Sequence, residues 1–392
     1  MGRVSVNPRV ALFVVVALIV IATVWSARAS LTPFAVGLAL AYLVAPPVAR
    51  VHRAMPAWLR QRQVSRSLAI LLVYFAALAS IVGLGALIVP PVVREAQELL
   101  AQAPRLAQAA YARVERVVDT YYIGAPDDVR EVMDLVLGSD VAARVTASVA
   151  DAAQRLVMNT AGAVTGTVVW LLALIIVPIW LVYLLGDKDR VMAGAIGLVP
   201  REFRPDVEAV RVICDRVLAA YVRGQLVITV ILGVMVTVSL FALGVPYALL
   251  LGVVVAVLGV IPFAGAILGA IPAIAVAASQ SLRLAVIVVV VYTVIQQIDS
   301  YLVTPRLQSR AVALNPAVIM FVLVLGHALI GPAGLLVAVP FTAILRDVVH
   351  YLYLRVAEDR PTALAALSAV GYGAYATPII RTAAAAEGDA TR

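Results

Sequence analysis

Charge is scarce in this sequence. Asp, Glu, Lys and Arg make up 13% of its 392 residues, about half their share in an ordinary soluble domain, while 63% of the residues are hydrophobic. Mean hydropathy is +1.02. One soluble core cannot hide that much apolar surface, which excludes a water-soluble enzyme and indicates a polytopic membrane protein. Cysteine is nearly absent: Cys214 alone allows no internal disulfide framework and no CxxC metal or redox site. Lysine is reduced to Lys188, so the formal charge of +8 is carried by arginine. In a membrane protein such an excess orients loops rather than gripping nucleic acid. No GxxxxGK phosphate cradle, HExxH or GxSxG occurs, and His52, His327 and His350 are far apart. ATP-driven transport by this chain alone and enzymatic hydrolysis therefore have no residues to carry them, and no cofactor or metal site is expected.

Long uncharged runs are what the sequence does have. Val10–Ala27, Leu31–Ala49, Ser67–Val93 and Leu156–Gly186 each reach the ~17–20 residues a helix needs to cross a bilayer. Gly224–Leu282 is uncharged and too long for one helix, and Gly244-Val245-Pro246, Pro262, Gly265, Gly269 and Pro272 offer breaks. Leu284–Ile298, which can be extended past Asp299 to Val303, and Ala311–Leu345, interrupted at Gly331-Pro332-Ala333-Gly334, complete a set of about eight crossings. The fold class is all-α.

Arginine placement orients these spans. Arg3 and Arg9 precede the first span, Arg50, Arg53, Arg60, Arg62 and Arg66 follow the second, and Lys188 to Arg223 follow the fourth, so these segments face the cytoplasm. Arg346, Arg355 and Arg360 return the C-terminus to the same side. The first run, followed by Ala27-Arg28-Ala29, also has the outline of a signal peptide, but it exceeds the ~7–15 residues of a typical secretory apolar region and reads as a retained span.

Between spans three and four the polar stretch is helical in period. Val92, Ala96, Leu99, Ala103, Leu106, Ala110, Val114, Val117 and Tyr121 recur every three or four residues, with Arg94, Glu95, Glu98 and Arg105 off that stripe. It predicts an amphipathic extracytoplasmic insert, broken at Gly124-Ala125-Pro126, whose apolar stripe packs either on the protein's own core or on another subunit. The chain then divides into N-terminal spans (1–93), the insert (94–155), a fourth span (156–186), a cytoplasmic connector (187–223), a C-terminal core (224–345) and a cytoplasmic tail (346–392). The tail after Ala357 is Ala-rich and weakly patterned, which predicts a mobile segment.

Broken helices within apolar segments free backbone groups that lipid cannot satisfy, so they must be buried in protein or line a cavity. Two comparable stretches occur: Pro262, Gly265, Gly269 and Pro272, and Gly331, Pro332 and Gly334 leading to Pro340. Paired interruptions of this kind, as kinked or re-entrant segments, point to a secondary transporter's binding site, whereas Gly265 and Gly269 can equally be a GxxxG packing contact. Asp299 is the one acidic residue between Gly224 and Leu345. Helical spacing puts Gln296, Asp299 and Ser300 on one face, suited to a cation, a proton or a hydroxylated solute; alternatively Asp299 ends a helix and pairs with Arg306 or Arg310. Gln297 adjoins this face, and Arg223 with Gln225 opens the fifth span, with Arg223 also readable as a cytoplasmic anchor.

Several stretches resemble one family. Pro33-Phe34 to Tyr42-Leu43, Asp187-Lys188-Asp189-Arg190, Tyr221-Val222-Arg223-Gly224-Gln225 and Leu243 to Leu249 are joined by two more specific ones. These are Ile261-Pro262-Phe263 with Gly265, Gly269, Ile271 and Pro272, and Gln297 to Asp299 with Thr304-Pro305-Arg306, Asn315-Pro316 and Gly331 to Pro340. Together they resemble the autoinducer-2 exporter-like family of bacterial permeases, with Ser300 where an asparagine or another polar residue is common. The resemblance implies a bacterial inner-membrane protein with lipid around it, a homo-oligomer with a pentamer as one candidate, and energy from an ion gradient, Na+ or H+, rather than ATP. Its implied cargo is a small hydrophilic organic solute of the autoinducer-2 kind, exported by alternating access. Asp299 would hold the coupling ion, and Gln225, Gln296 and Gln297 would bond the cargo. A Na+(Li+)/H+ antiporter and a scaffold that transports nothing are the rival readings.

Overall fold

The computed structural model describes residues 26, 28–60, 65–122, 178–262, 264–308, 314–357 and 361–390. Among them there is no strand, and the helices are α1 (Arg28–Ala54), α2 (Ser65–Tyr122), α3 (Arg204–Ala242), α4 (Ala248–Leu258), α5 (Ala264–Gln280), α6 (Leu282–Ile298), α7 (Pro316–Ile330), α8 (Pro332–Val356), α9 (Ala363–Ala369) and α10 (Pro378–Ala390), besides Lys188–Leu198 and pieces of three to five residues. Four stretches are long and apolar enough to cross a membrane: Ser65–Ala110, Arg201–Ala242, Leu282–Leu307 and Gly334–Val356. Their outer faces are apolar, as Leu87 (73% exposed) and Phe241 (79%) show, which suits lipid and not water. The expected spans over 10–27 and most of 156–186, and the expected break at Gly124 to Pro126, lie outside the described residues.

The chain forms two compact units. One comprises Arg50–Val182 and Ala220–Ala313; the other comprises Met1–Ala49, Tyr183–Ala219 and Leu314–Arg392.

In the first unit, α3 to α6 run up and down as sequence neighbours, held by small residues at their crossings. Gly233 on α3 meets Ala256 on α4, and Gly252 meets Thr237, so these two helices are antiparallel about the turn at Gly244 (φ 69°) and Tyr247 (φ 61°). Gly259 then faces Gly265 and Val255 faces Gly269, which makes α4 and α5 a second antiparallel pair. Tyr292 of α6 donates to the carbonyl of Gly269 at 3.2 Å and continues the alternation. With 11 residues, α4 is only about 16 Å long, half a hydrocarbon core, so α4 and α5 form a short hairpin rather than two full crossings.

Helix α2 packs along this hairpin. Ala96 and Leu99 are buried in the core it shares with α3 to α6, and Val92, Leu106 and Ala110 lie against that core. These stripe residues therefore pack on the protein's own core. Helix α2 continues through Pro90, Pro91 and Pro104 without interruption, so membrane-length run and amphipathic stripe are one helix up to Tyr122. Glu95 does a second job: its Oε2 accepts from the backbone N–H of Leu250 at 2.7 Å, in the first turn of α4, whose own N-cap, Tyr247, contributes no side-chain bond. A cap lent by another helix should have the strength of a local one. Glu95→Ala is expected to lower stability by about 0.5–2 kcal/mol, read as a drop in the thermal unfolding temperature in detergent; no drop would show that the bond contributes nothing.

In the second unit α7 and α8 form a tight hairpin. Gly326 and Gly334 touch backbone to backbone across it, and the turn residue Gly331 has φ 66° and ψ −150°, open only to glycine. The tail that looked mobile is folded here, which corrects the compositional reading. Residues 361–390 contain α9 and α10, and Ala363, Ala366, Leu367, Tyr372 and Ile380 are buried. Polar pairs fasten them. Tyr372 donates to Asp347 at 2.5 Å, Arg355 bridges the Asp206 carboxylate at 2.7 Å and the carbonyl of Pro361 at 2.7 Å, and Arg216 stacks 3.6 Å over the ring of Tyr375. Burial first, then the Asp347 carboxylate, pushes the Tyr372 phenol above its ordinary value, so it stays a donor through the physiological range. Composition hid this order because each fastening joins residues distant in sequence. Tyr372→Phe leaves the buried Asp347 short of a donor, and a loss of about 1–3 kcal/mol is expected, measured by thermal unfolding or by faster proteolysis within 361–390.

Candidate functional site at the tip of the short hairpin

The hairpin tip is where the backbone is irregular. Residues 259–262 leave the helix, and Pro262 there has no N–H to give. The end of α4 frees carbonyls, and one of them, Gly259 O, is met by Gln225 of α3, whose Nε2 donates to it at 2.6 Å. The same buried carboxamide accepts from Nε2 of Gln308 at 2.7 Å. Room for this is made by Gly224, where a Cβ would lie 3.0 Å from both Gln308 Cγ and the Leu307 carbonyl. A buried carboxamide chain thus ties α3 to the broken end of α4 and to the segment after α6.

That segment carries Asp299. Helix α6 passes into a five-residue π-helical turn, Asp299–Val303, before one further α turn, Thr304–Leu307. Single π turns widen a helix locally and are frequent at functional sites. The carboxylate of Asp299 is half-buried and accepts from Thr304 Oγ1 at 2.9 Å; among the described residues it makes no ion pair, with Arg306 exposed nearby in sequence and Arg310 outside the described set. The backbone N–H of Gln308 donates to the carbonyl of Thr304 at 2.8 Å, so Asp299, Thr304, Gln308, Gln225 and Gly259 form one connected polar series. Counting one helical turn from the contact of Tyr292 with Gly269 places Gln296 opposite Gly265, also beside the tip.

The other residues singled out from sequence fall as follows. Gln296 donates weakly to Ser300 Oγ at 3.4 Å, and its Oε1 is buried without a partner. Gln297 and Ser300 are exposed. Arg223 is half-buried and has no ion pair among the described residues. Gly265, Gly269 and Pro272 do not break a helix: all three lie inside α5, the two glycines because they abut Gly259 and Val255, and Pro272 because a helix in an apolar setting can absorb the missing N–H. Among the described residues of this stretch, the helix break is confined to 259–262. Gly331 makes the α7–α8 turn, Pro332 opens α8 and Gly334 lies within it, and all three belong to the other unit. Sequence inspection passed over Gln308 and Gly259; a glutamine three residues past Pro305 was the available signal for the first.

A buried amide network at a broken helix, beside a carboxylate in a membrane-length helix, is an arrangement of transporters. The family model of the AI-2E family transporters matches residues 12–354. The chain belongs to the AI-2E transporter family. Its members are transport proteins, not enzymes. Among its relatives is YrrI of Bacillus subtilis, named as a candidate transport protein, 33% identical over 180 residues, which are 46% of this chain and 51% of YrrI. The chain thus spans about half the length of that relative. A Synechocystis protein, sll0063, named in the same way, is 27% identical over 311 residues, 78% of this chain and 75% of its own. TqsA of Escherichia coli, named an AI-2 transport protein, is 32% identical over 120 residues, 30% of this chain and 35% of TqsA.

Proposed function

We propose that this AI-2E permease exports a small hydrophilic organic solute of the autoinducer-2 kind across the bacterial inner membrane, driven by a Na+ or H+ gradient, with both termini cytoplasmic and the chain acting as a homo-oligomer. The observation that carries the reading is the polar series from Gly259 through Gln225 and Gln308 to Asp299. Its amides can exchange a protein partner for a solute hydroxyl at little cost, because hydrogen bonds are traded rather than lost. Asp299 lies in a membrane-length helix without an ion pair among the described residues, the setting in which a carboxylate can take up and release a cation or a proton. The name of TqsA supplies the cargo class. The test is flux in proteoliposomes holding the purified protein: autoinducer-2 is loaded inside, and a proton or sodium gradient is imposed. Gradient-dependent efflux supports the reading. Proton movement evoked by sodium or lithium pulses with no solute present would replace it with cation exchange.

A further inference from the structure

Among the described residues, three buried side-chain atoms lack a hydrogen-bond partner: the Tyr221 hydroxyl, Gln296 Oε1 and Thr377 Oγ1. Folded proteins leave few such groups, because each has given up water without replacing it. Two of the three sit on the helices that meet at the hairpin tip. Tyr221 is 6% exposed and lies one turn before Gln225 on the same face of α3; Gln296 lies on α6, opposite Gly265.

The chemistry of the two atoms restricts what could satisfy them. A carboxamide oxygen can only accept, so Gln296 Oε1 calls for a donor. A phenol can accept but must also place its own proton, so Tyr221 calls for an acceptor. A bare metal cation gives Tyr221 no acceptor. A neutral solute bearing a hydroxyl and a carbonyl, or two hydroxyls, supplies both.

Resting on the transport reading above, we propose that the Tyr221 hydroxyl is a cargo-contacting, specificity-determining group of this permease, acting with Gln296 on a neutral hydroxylated solute. The phenol contributes a hydrogen bond to cargo and none to the fold. Sites built to bond a polar group lose affinity steeply when that bond is removed.

Tyr221→Phe keeps the ring and deletes the hydroxyl. Autoinducer-2 transport in proteoliposomes should show KM raised roughly tenfold with kcat less affected, while the melting temperature of the empty protein in detergent stays level or rises, since an unsatisfied buried polar atom has gone. Gln296→Leu should shift KM in the same direction. An unchanged KM in Tyr221→Phe, or a lowered melting temperature, overturns the assignment and makes the hydroxyl water-bonded or structural. A wild-type protein that neither moves autoinducer-2 nor is stabilised by it overturns the cargo reading itself, and that outcome is distinct because it appears before any variant is made.

Discussion

Replacing Asp299 with asparagine is expected to weaken the response of solute flux to an imposed ion gradient by about 5–150-fold while leaving the protein folded. Asparagine matches the carboxylate in shape and can still accept from Thr304 Oγ1, the one hydrogen bond the Asp299 side chain makes among the described residues, so the π-helical turn keeps its partner. What disappears is the negative charge and the ability to carry a proton. A gradient drives a transporter only through a group whose occupancy differs between its two facing states, and coupling of that kind is worth about 1–3 kcal/mol, or 5–150-fold. Gradient-stimulated efflux of autoinducer-2 should therefore fall by that factor in Asp299→Asn vesicles, with exchange of solute at equal concentrations far less affected. Full gradient dependence in the variant would remove Asp299 from the coupling role.

Gly265→Leu should have the largest effect on folding. A Cβ at this position would lie 2.5 Å from the backbone N and Cα of Gly259, and neither is the free end of a flexible side chain that can swing away. The hairpin would have to open, pulling Gly259 O from Gln225 and exposing the amide chain. Overpacking by a single methyl typically costs about 1–3 kcal/mol, and leucine adds more. Gly265→Ala is thus expected to lower the unfolding temperature and Gly265→Leu to prevent recovery of folded protein. Gly244→Ala makes a useful contrast: its Cβ would meet no neighbour, so its cost should come from the positive φ alone. Equal stability of Gly265→Leu and wild type would mean that α4 and α5 do not pack as closely as described.

The membrane class, several spans and the family could be read from the sequence because they depend on composition and on residues close together in the chain. Uncharged runs report burial in lipid without reference to any partner, and the stretches around Pro262 and Asp299 carry the family pattern. Features that arise from distant residues could not be read. Nothing near Ala248 announces that Glu95, 155 residues before Leu250, caps its helix. The π-helical turn at Asp299 has no compositional mark, and the alanines of the tail give no sign of the Tyr372–Asp347 and Arg355–Asp206 pairs that order it. Proline and glycine left two readings open at Gly265, Gly269 and Pro272, interruption or close packing, and the structure has the second: the glycines serve close approach of helices and the proline is carried within one. The candidate site was legible as separate polar residues, but the link through Gln308 was not.

The assignment of chain segments to the two units has a consequence for biosynthesis. One unit has all of its residues once Ala313 has been made, whereas the other needs Leu314–Arg392, including the buried Leu367, Tyr372 and Ile380. At 5–20 residues per second, the remaining stretch takes about 4–16 s to synthesise. During that interval the start of α3 is without the segments that will cover Asp206 and the apolar groups beside it. A ribosome that stalls late, or a messenger cut short near its end, would leave the unit that holds the α4–α5 hairpin complete and the other unit unfinished.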